Sequence, residues 1–142
     1  MKKISLMSLL LLLIAVMSSC SEPTLNDWIT EFNNRCPEDM GGGMTMKSMN
    51  EVDDYVQLEC ISDESELALD NSLIQAMLPS LAEPIKEEFL NDSDMKALFQ
   101  CCSDEGKGFR MMLTGEKSGA SLPLIELSPQ ELNEKYPPRP KE

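Results

Sequence analysis

Histidine is absent from this chain of 142 residues, and basic residues are scarce. Without His, the sequence has no Ser-His-Asp or Cys-His nucleophile and no His-ligated zinc site. Only 12 Lys and Arg oppose 25 Asp and Glu, so the formal net charge is −13. A surface of this sign repels a phosphate backbone, so we expect no nucleic-acid partner. Residues 115–118 fail as a phosphate-binding loop, because Lys does not follow Gly directly and the upstream Gly is missing. We expect no cofactor.

The chain also lacks an apolar run long enough to cross a membrane. Residues 4–16 are almost all apolar, but they number 13, whereas a spanning helix needs about 20. Lys2 and Lys3 precede this run, and the small residues Ser18 and Ser19 follow it. A positive start, a short apolar run and small residues predict a secretory signal peptide, here residues 1–19.

The segment Met17-Ser18-Ser19-Cys20 resembles the lipobox of bacterial lipoproteins, although Met17 replaces the usual Leu. The resemblance implies that the thiol of Cys20 receives a diacylglyceryl group and that the signal is cut before Cys20. It also implies a second acylation, with a fatty acid such as palmitate, at the new amino terminus. Residues 20–24 are then a lipidated tether, and the membrane is a partner through the lipid on Cys20.

The residues after Cys20 indicate which membrane receives the protein. In lipoproteins of many Gram-negative bacteria, Asp at this position marks retention at the inner membrane. Ser21 stands there instead, so the resemblance implies the outer membrane. In the Bacteroides group, a cluster of acids after the Cys marks export to the cell surface, and only Glu22 fits. The periplasmic and the surface side therefore both stay open.

Hydropathy patterns predict a single α+β domain over residues 25–135. Apolar residues at 25, 28, 29 and 32 fall on one helical face after Thr24, a cap, and Cys36-Pro37 ends that helix. Further helices are predicted over residues 63–78, 85–90 and 95–102, with Pro79 and Pro84 as breaks. The sequence Ser128-Pro129-Gln130-Glu131 is a capping box that begins a last short helix.

Alternating apolar residues predict four strands in two hairpins. The first hairpin pairs residues 44–47 with 56–60, and the second pairs 109–113 with 122–127. Residues 41–43, all Gly, are interpreted as a flexible connection. The expected fold is one four-stranded antiparallel sheet with the helices packed on one face. Residues 136–142 are a Pro-rich, extended tail.

Four cysteines remain after the predicted processing site. Cys36, Cys60, Cys101 and Cys102 lie in an exported chain, where disulfides can form. Buried free thiols and one structural disulfide are both consistent with the sequence. No C-x-x-C motif supports a redox or zinc site.

Three functions follow as hypotheses. The first is a non-enzymatic, lipid-anchored envelope protein with a binding or assembly role and a protein partner. Its body loosely resembles small uncharacterised lipoproteins of Bacteroides-like bacteria, a resemblance that transfers no catalytic residue. The second is an envelope enzyme that uses carboxylates from residues 51–54 and 63–66. The third is a metal or redox module built from the four cysteines and the methionines of residues 40–49.

Overall fold

The computed structural model describes residues 22–65, 68–93 and 95–140. The predicted signal peptide and Cys20 lie outside these residues. Within them, the chain forms four helices and five strands. In chain order these are α1 (Leu25–Arg35), β1 (Glu38–Gly41), β2 (Met44–Val52), β3 (Tyr55–Ser62), α2 (Ser72–Leu90), α3 (Lys96–Asp104), β4 (Gly108–Gly115), β5 (Ser121–Leu127) and α4 (Pro129–Lys135).

The five strands form one mixed sheet in the order β1-β2-β3-β4-β5. The α+β class is therefore confirmed, and both predicted hairpins are present as β2–β3 and β4–β5. The prediction of four antiparallel strands is wrong, because β3 and β4 pair in parallel, with Val56 opposite Phe109. Helices α2 and α3 lie between β3 and β4 in sequence and carry the chain back to the starting end of β3. The two hairpins consequently meet side by side in the same direction.

The fifth strand, β1, is the one that the sequence does not predict. It pairs antiparallel with β2, and Gly41, Gly42 and Gly43 between them have φ of 79°, 61° and 75°. Residues other than Gly rarely adopt such angles, so the three glycines form a defined reversal rather than a flexible connection. A Cβ at Gly43 would lie 2.3 Å from Oδ1 of Asp63, which fixes a close approach of this turn to the end of β3.

One face of the sheet carries the hydrophobic core. Strand β3 alternates half-buried and buried residues, and Leu58 on its buried side faces the same way as Met111 of β4. Trp28 of α1 and Phe99 of α3 pack against this side and are at most 1% exposed. The rings of Phe99 and Phe109 meet edge to face, with centroids 5.4 Å apart.

The opposite face of the sheet is half-exposed and polar. The guanidinium of Arg110 lies 4.5 Å from the centroid of the Tyr55 ring, and its Nε donates to Gln57 at 2.8 Å. The Tyr55 hydroxyl donates to Glu126 at 3.3 Å. These neighbouring side chains satisfy one another's hydrogen-bonding groups across β3, β4 and β5, and this face of the sheet is open to water.

Helix α2 differs most from the sequence-based expectation. Two helices were predicted here, over 63–78 and 85–90, but one helix runs from Ser72 to Leu90 through Pro79 and Pro84. Both prolines are exposed, so water can reach the carbonyls that have lost an amide donor. The helix starts late because Asn71 caps it, its Oδ1 accepting from the amide of Leu73 at 2.9 Å.

Candidate binding site

An apolar depression lies between α2 and β5. Helix α2 runs along this edge strand and leaves a groove of about 300 Å³, which we call the α2–β5 groove. Residues 122–126 of β5 form its floor, and the helix contributes a wall that includes Leu78, Ala82 and Lys86. Pro123 lies in β5, which is an edge strand of the sheet. Proline has no amide donor and is therefore typical of edge strands.

Helix α2 also exposes apolar side chains that do not line the groove. Leu73, Met77 and Ile85 are 64%, 45% and 37% exposed. Their spacing of four and eight residues places them on one side of α2. Residues 72–82 contain no ionisable side chain, although the whole chain carries a net charge of −13. In the part of the chain that the structure describes, no helix has the length and hydropathy needed to span a membrane.

An ion pair holds the helix beside the rest of the molecule. Nζ of Lys86 donates to Oε1 of Glu131 at 2.7 Å, which joins α2 to α4. This bond raises the pKa of Lys86 above its ordinary value. Burial raises the pKa of Glu131, but the bonds from Lys86 and from the amide of Ser128 outweigh it, so the net shift is downward. Glu131 is also part of the capping box that starts α4, and the position of the groove wall is thereby tied to that helix.

The carboxylates proposed for catalysis fall into two separate groups. Asp53 and Asp54 form the turn before β3, whereas Asp63 and Glu64 follow the end of β3. Eight residues of strand lie between the groups, a distance of about 26 Å. The structure therefore does not bring the acids of residues 51–54 and 63–65 into one site.

Glu64 has a structural role instead. Its carboxylate accepts hydrogen bonds from the amides of Lys117 and Ser118 at 2.8 and 2.7 Å, and from the Ser118 hydroxyl at 2.8 Å. It also accepts from the amide of Leu69 at 3.1 Å. The bond from the Ser118 amide contributes most to a pKa below the ordinary value. A carboxylate with these partners stays ionised and joins the β4–β5 turn to the segment before α2.

The four cysteines of the described chain are all free thiols. Cys60 on β3 and Cys102 on α3 are fully buried, Cys101 is 6% exposed, and Cys36 is half-buried. Burial raises the pKa of Cys60 to about 12 and that of Cys101 to about 11. Burial also raises the pKa of Cys102, and it does the same more weakly for Cys36.

The cysteines that the third hypothesis proposes as metal ligands do not form a cluster with other candidate ligands that the structure describes. Among residues 22–65, 68–93 and 95–140, no three Cys, Asp or Glu side chains are grouped so that they could hold an ion. Of the methionines in residues 40–49, Met46 and Met49 are buried in the core, while Met40 and Met44 pack at its margin. These thioethers fill the space between the sheet and the helices.

Comparisons with known proteins yield a fold neighbour but no family. No family of known proteins matches the sequence, and no curated protein matches it. The chain is similar in structure to a presumed secreted protein from Pseudomonas aeruginosa, with a TM-score of 0.55 and 10% sequence identity. The similarity covers 91% of this chain and 98% of the other. At this identity the comparison bears on the fold alone.

Proposed function

We propose that this protein is a lipid-anchored envelope protein that binds a partner protein and catalyses no reaction. The anchor is the lipid on Cys20, which the segment Met17-Ser18-Ser19-Cys20 supports. The fold neighbour is itself a presumed secreted protein, which agrees with export from the cytoplasm. Ser21 favours the outer membrane as the destination.

The α2–β5 groove is the site that we assign to the partner. The observation that carries this assignment is a concave apolar groove walled by a helix that also leaves Leu73 64% exposed and has no ionisable side chain over residues 72–82. Exposed apolar surface next to a concave apolar site is typical of protein-binding surfaces. Glu83 and Glu126 line the groove together with Lys86, which is bonded to Glu131, so the two carboxylates outnumber the one cation of the described lining. We therefore infer an occupant with an apolar centre and basic flanks.

The lipid anchor is tested by labelling. Cells that express the wild type or Cys20→Ala are fed a labelled fatty acid and separated into membrane and soluble fractions. We expect label and membrane association for the wild type and neither for the variant. Equal solubility of both proteins, without label, would contradict the anchor.

The groove is tested with synthetic peptides of defined chemistry. Three fluorescent peptides share a length: one has an apolar centre with Lys flanks, one has the same centre with Glu flanks, and one has a polar centre with Lys flanks. We expect the fluorescence anisotropy to rise on addition of the protein for the first peptide alone. Binding of both Lys-flanked peptides would instead indicate non-specific attraction to the acidic surface.

Two alanines of α2 provide a matched pair of variants. Ala82 lines the groove and is half-buried, whereas Ala76 is exposed on the same helix. Ala82→Phe fills the groove and should abolish peptide binding, whereas Ala76→Phe should leave it unchanged. Circular dichroism establishes that both variants keep their helix content. Retained binding in Ala82→Phe would exclude the groove as the site.

A further inference from the structure

The side chain of Arg139 joins the two ends of the described chain. Its Nε and Nη2 donate to Oδ2 of Asp104 at 2.9 and 2.6 Å, and its backbone amide donates to Oδ1 at 2.8 Å. Its Nη1 donates to Glu22. Asp104 is the last residue of α3, where a negative charge opposes the helix dipole, so the guanidinium compensates it. The bond to Asp104 contributes most to a pKa of Arg139 above its ordinary value.

The segment after Glu22 is bound to the body at every residue. The Cys101 thiol donates to the carbonyl of Pro23 at 3.3 Å. Thr24 is the N-cap of α1, and its hydroxyl accepts from the amide of Asp27. The predicted tether of residues 20–24 is therefore held against the body from Glu22 onward. Two peptide units join Cys20 to Glu22, and covalent geometry limits their reach to about 7 Å.

We propose that Arg139 fixes which surface of the anchored protein lies against the bilayer. That surface, the tether face, consists of Glu22, Pro23, Asp104, Glu105 and Arg139. The proposal rests on the lipid at Cys20, because a lipid about 7 Å from Glu22 brings the tether face to the headgroups. Three carboxylates and one guanidinium make this face acidic, so the partner is a lipid surface of low negative charge.

A bound tether and a free tether place the body differently. If Arg139 no longer holds Glu22 while the Cys101 thiol still holds Pro23, the chain from Cys20 to its first contact gains one peptide unit, and its reach rises from about 7 to about 10 Å. The acidic body then moves away from the membrane and tumbles about its anchor. Arg139 keeps it near the bilayer in one orientation, with the same surface always towards the lipid.

The single tryptophan offers a native probe of this distance. Trp28 lies one helical turn after the Thr24 cap, about 6 Å along the axis of α1. The purified lipidated protein is inserted into phosphatidylcholine vesicles that carry a dansyl headgroup acceptor. Energy transfer from Trp28 to dansyl then reports how close the body lies to the surface.

Three variants separate the clamp from general electrostatics. Arg139→Gln and Glu22→Gln both break the clamp, but the first makes the body more negative and the second makes it less negative. Arg35→Gln is the matched control, because it removes one positive charge and the ion pair with Glu31 at the far end of α1. We expect lower energy transfer in Arg139→Gln and in Glu22→Gln, and no change in Arg35→Gln. A decrease in Arg139→Gln with an increase in Glu22→Gln would show that charge alone sets the height, and it would overturn the proposal.

A second measurement distinguishes failure of the clamp from failure of the anchor. Mass spectrometry reports lipid on Cys20, and ¹⁵N relaxation reports the order of the Glu22 amide in the same purified chain. For the Glu22 amide we expect an order parameter of about 0.85 in the wild type and below about 0.6 in both clamp variants. Lipid present with unchanged energy transfer in both variants overturns the orientation proposal and leaves the anchor intact. An ordered Glu22 without lipid overturns the anchor, and the membrane-facing role falls with it.

Discussion

The ion pair between Lys86 and Glu131 should stabilise the protein by a small, pH-dependent amount. Their charged atoms are 2.7 Å apart, and the side chains are 23% and 41% exposed. Coulomb attraction at that distance is about 1.5 kcal/mol in bulk water and about 6 kcal/mol at an effective dielectric constant of 20. Loss of hydration and of side-chain entropy offsets most of this in exposed pairs, which leaves about 0.5–1 kcal/mol.

The test is the variant Lys86→Met, which keeps an unbranched apolar side chain of similar length on α2. At pH 7 we expect its free energy of unfolding to fall by about 0.5–1 kcal/mol. With a typical urea dependence, the midpoint of unfolding falls by about 0.3–0.7 M at an unchanged slope. The fluorescence of Trp28, which is 1% exposed, follows the transition. Lys47→Met, at an exposed position on β2, removes the same charge and should move the midpoint much less.

The pH dependence of this difference tests its ionic origin. The pKa of Glu131 is lowered in the folded state, so its contribution is present above the ordinary value of 4.5 and is lost as the pH falls through the folded pKa. The pKa of Lys86 is raised, so its contribution is present below 10.5 and is lost as the pH rises through the folded pKa. The wild type and Lys86→Met should therefore differ most between about pH 5 and 10. A difference that stays constant down to pH 3 would refute the ionic account.

Three further predictions concern the core and the thiols. Phe99→Ala removes a fully buried ring that contacts Phe109, so calorimetry should show that the free energy of unfolding falls by about 3–5 kcal/mol. A decrease below about 1 kcal/mol would contradict this prediction. Gly108→Ala places a Cβ 2.4 Å from the Leu127 carbonyl, so urea titration should show destabilisation of about 1–3 kcal/mol, and a neutral result would mean that β5 moves freely. At pH 8, Ellman's reagent should react with Cys36 far faster than with the three buried thiols, and all four should react in denaturant.

Local signals in the sequence predicted the starts of α1 and α4 correctly. The Thr24 cap and the Ser128 capping box both appear, each with a reciprocal bond to the residue three positions later. Such motifs involve residues that are neighbours in the chain, so their energetics can be read without knowledge of the tertiary structure. The alternation that predicted β3 also follows its observed burial, because one face of that strand lies on the core.

Non-local contacts explain what the sequence did not predict. The parallel pairing of β3 with β4 depends on the path of the chain through α2 and α3, which no short pattern encodes. Pro79 and Pro84 were interpreted as helix breakers, but their exposed positions allow water to replace the missing amide donors. The contacts of Arg139 with Glu22 join residues 117 positions apart, so only the folded chain brings them together.

The α2–β5 groove was missed for a related reason. Residues 63–78 are predicted only as a helix, and leucines at helical spacing normally indicate a core face rather than a binding surface. In the structure, Leu78 is buried, but Leu73 and Met77 point to solvent. The usable signal was the lack of any ionisable residue from 72 to 82 in so acidic a chain.

Helix α2 stands apart from the other three helices in how it meets the sheet. Helices α1, α3 and α4 place buried side chains such as Phe32, Phe99 and Leu132 in the common core. Among the described side chains of α2, only Leu78 falls in the buried class, and the helix packs mainly along β5. A helix of 19 residues that buries so little gains little stability from the core, and its exposed apolar side is a liability in water. The same features suit a helix that binds a partner, because the apolar area of α2 that the sheet leaves uncovered is then available for that contact.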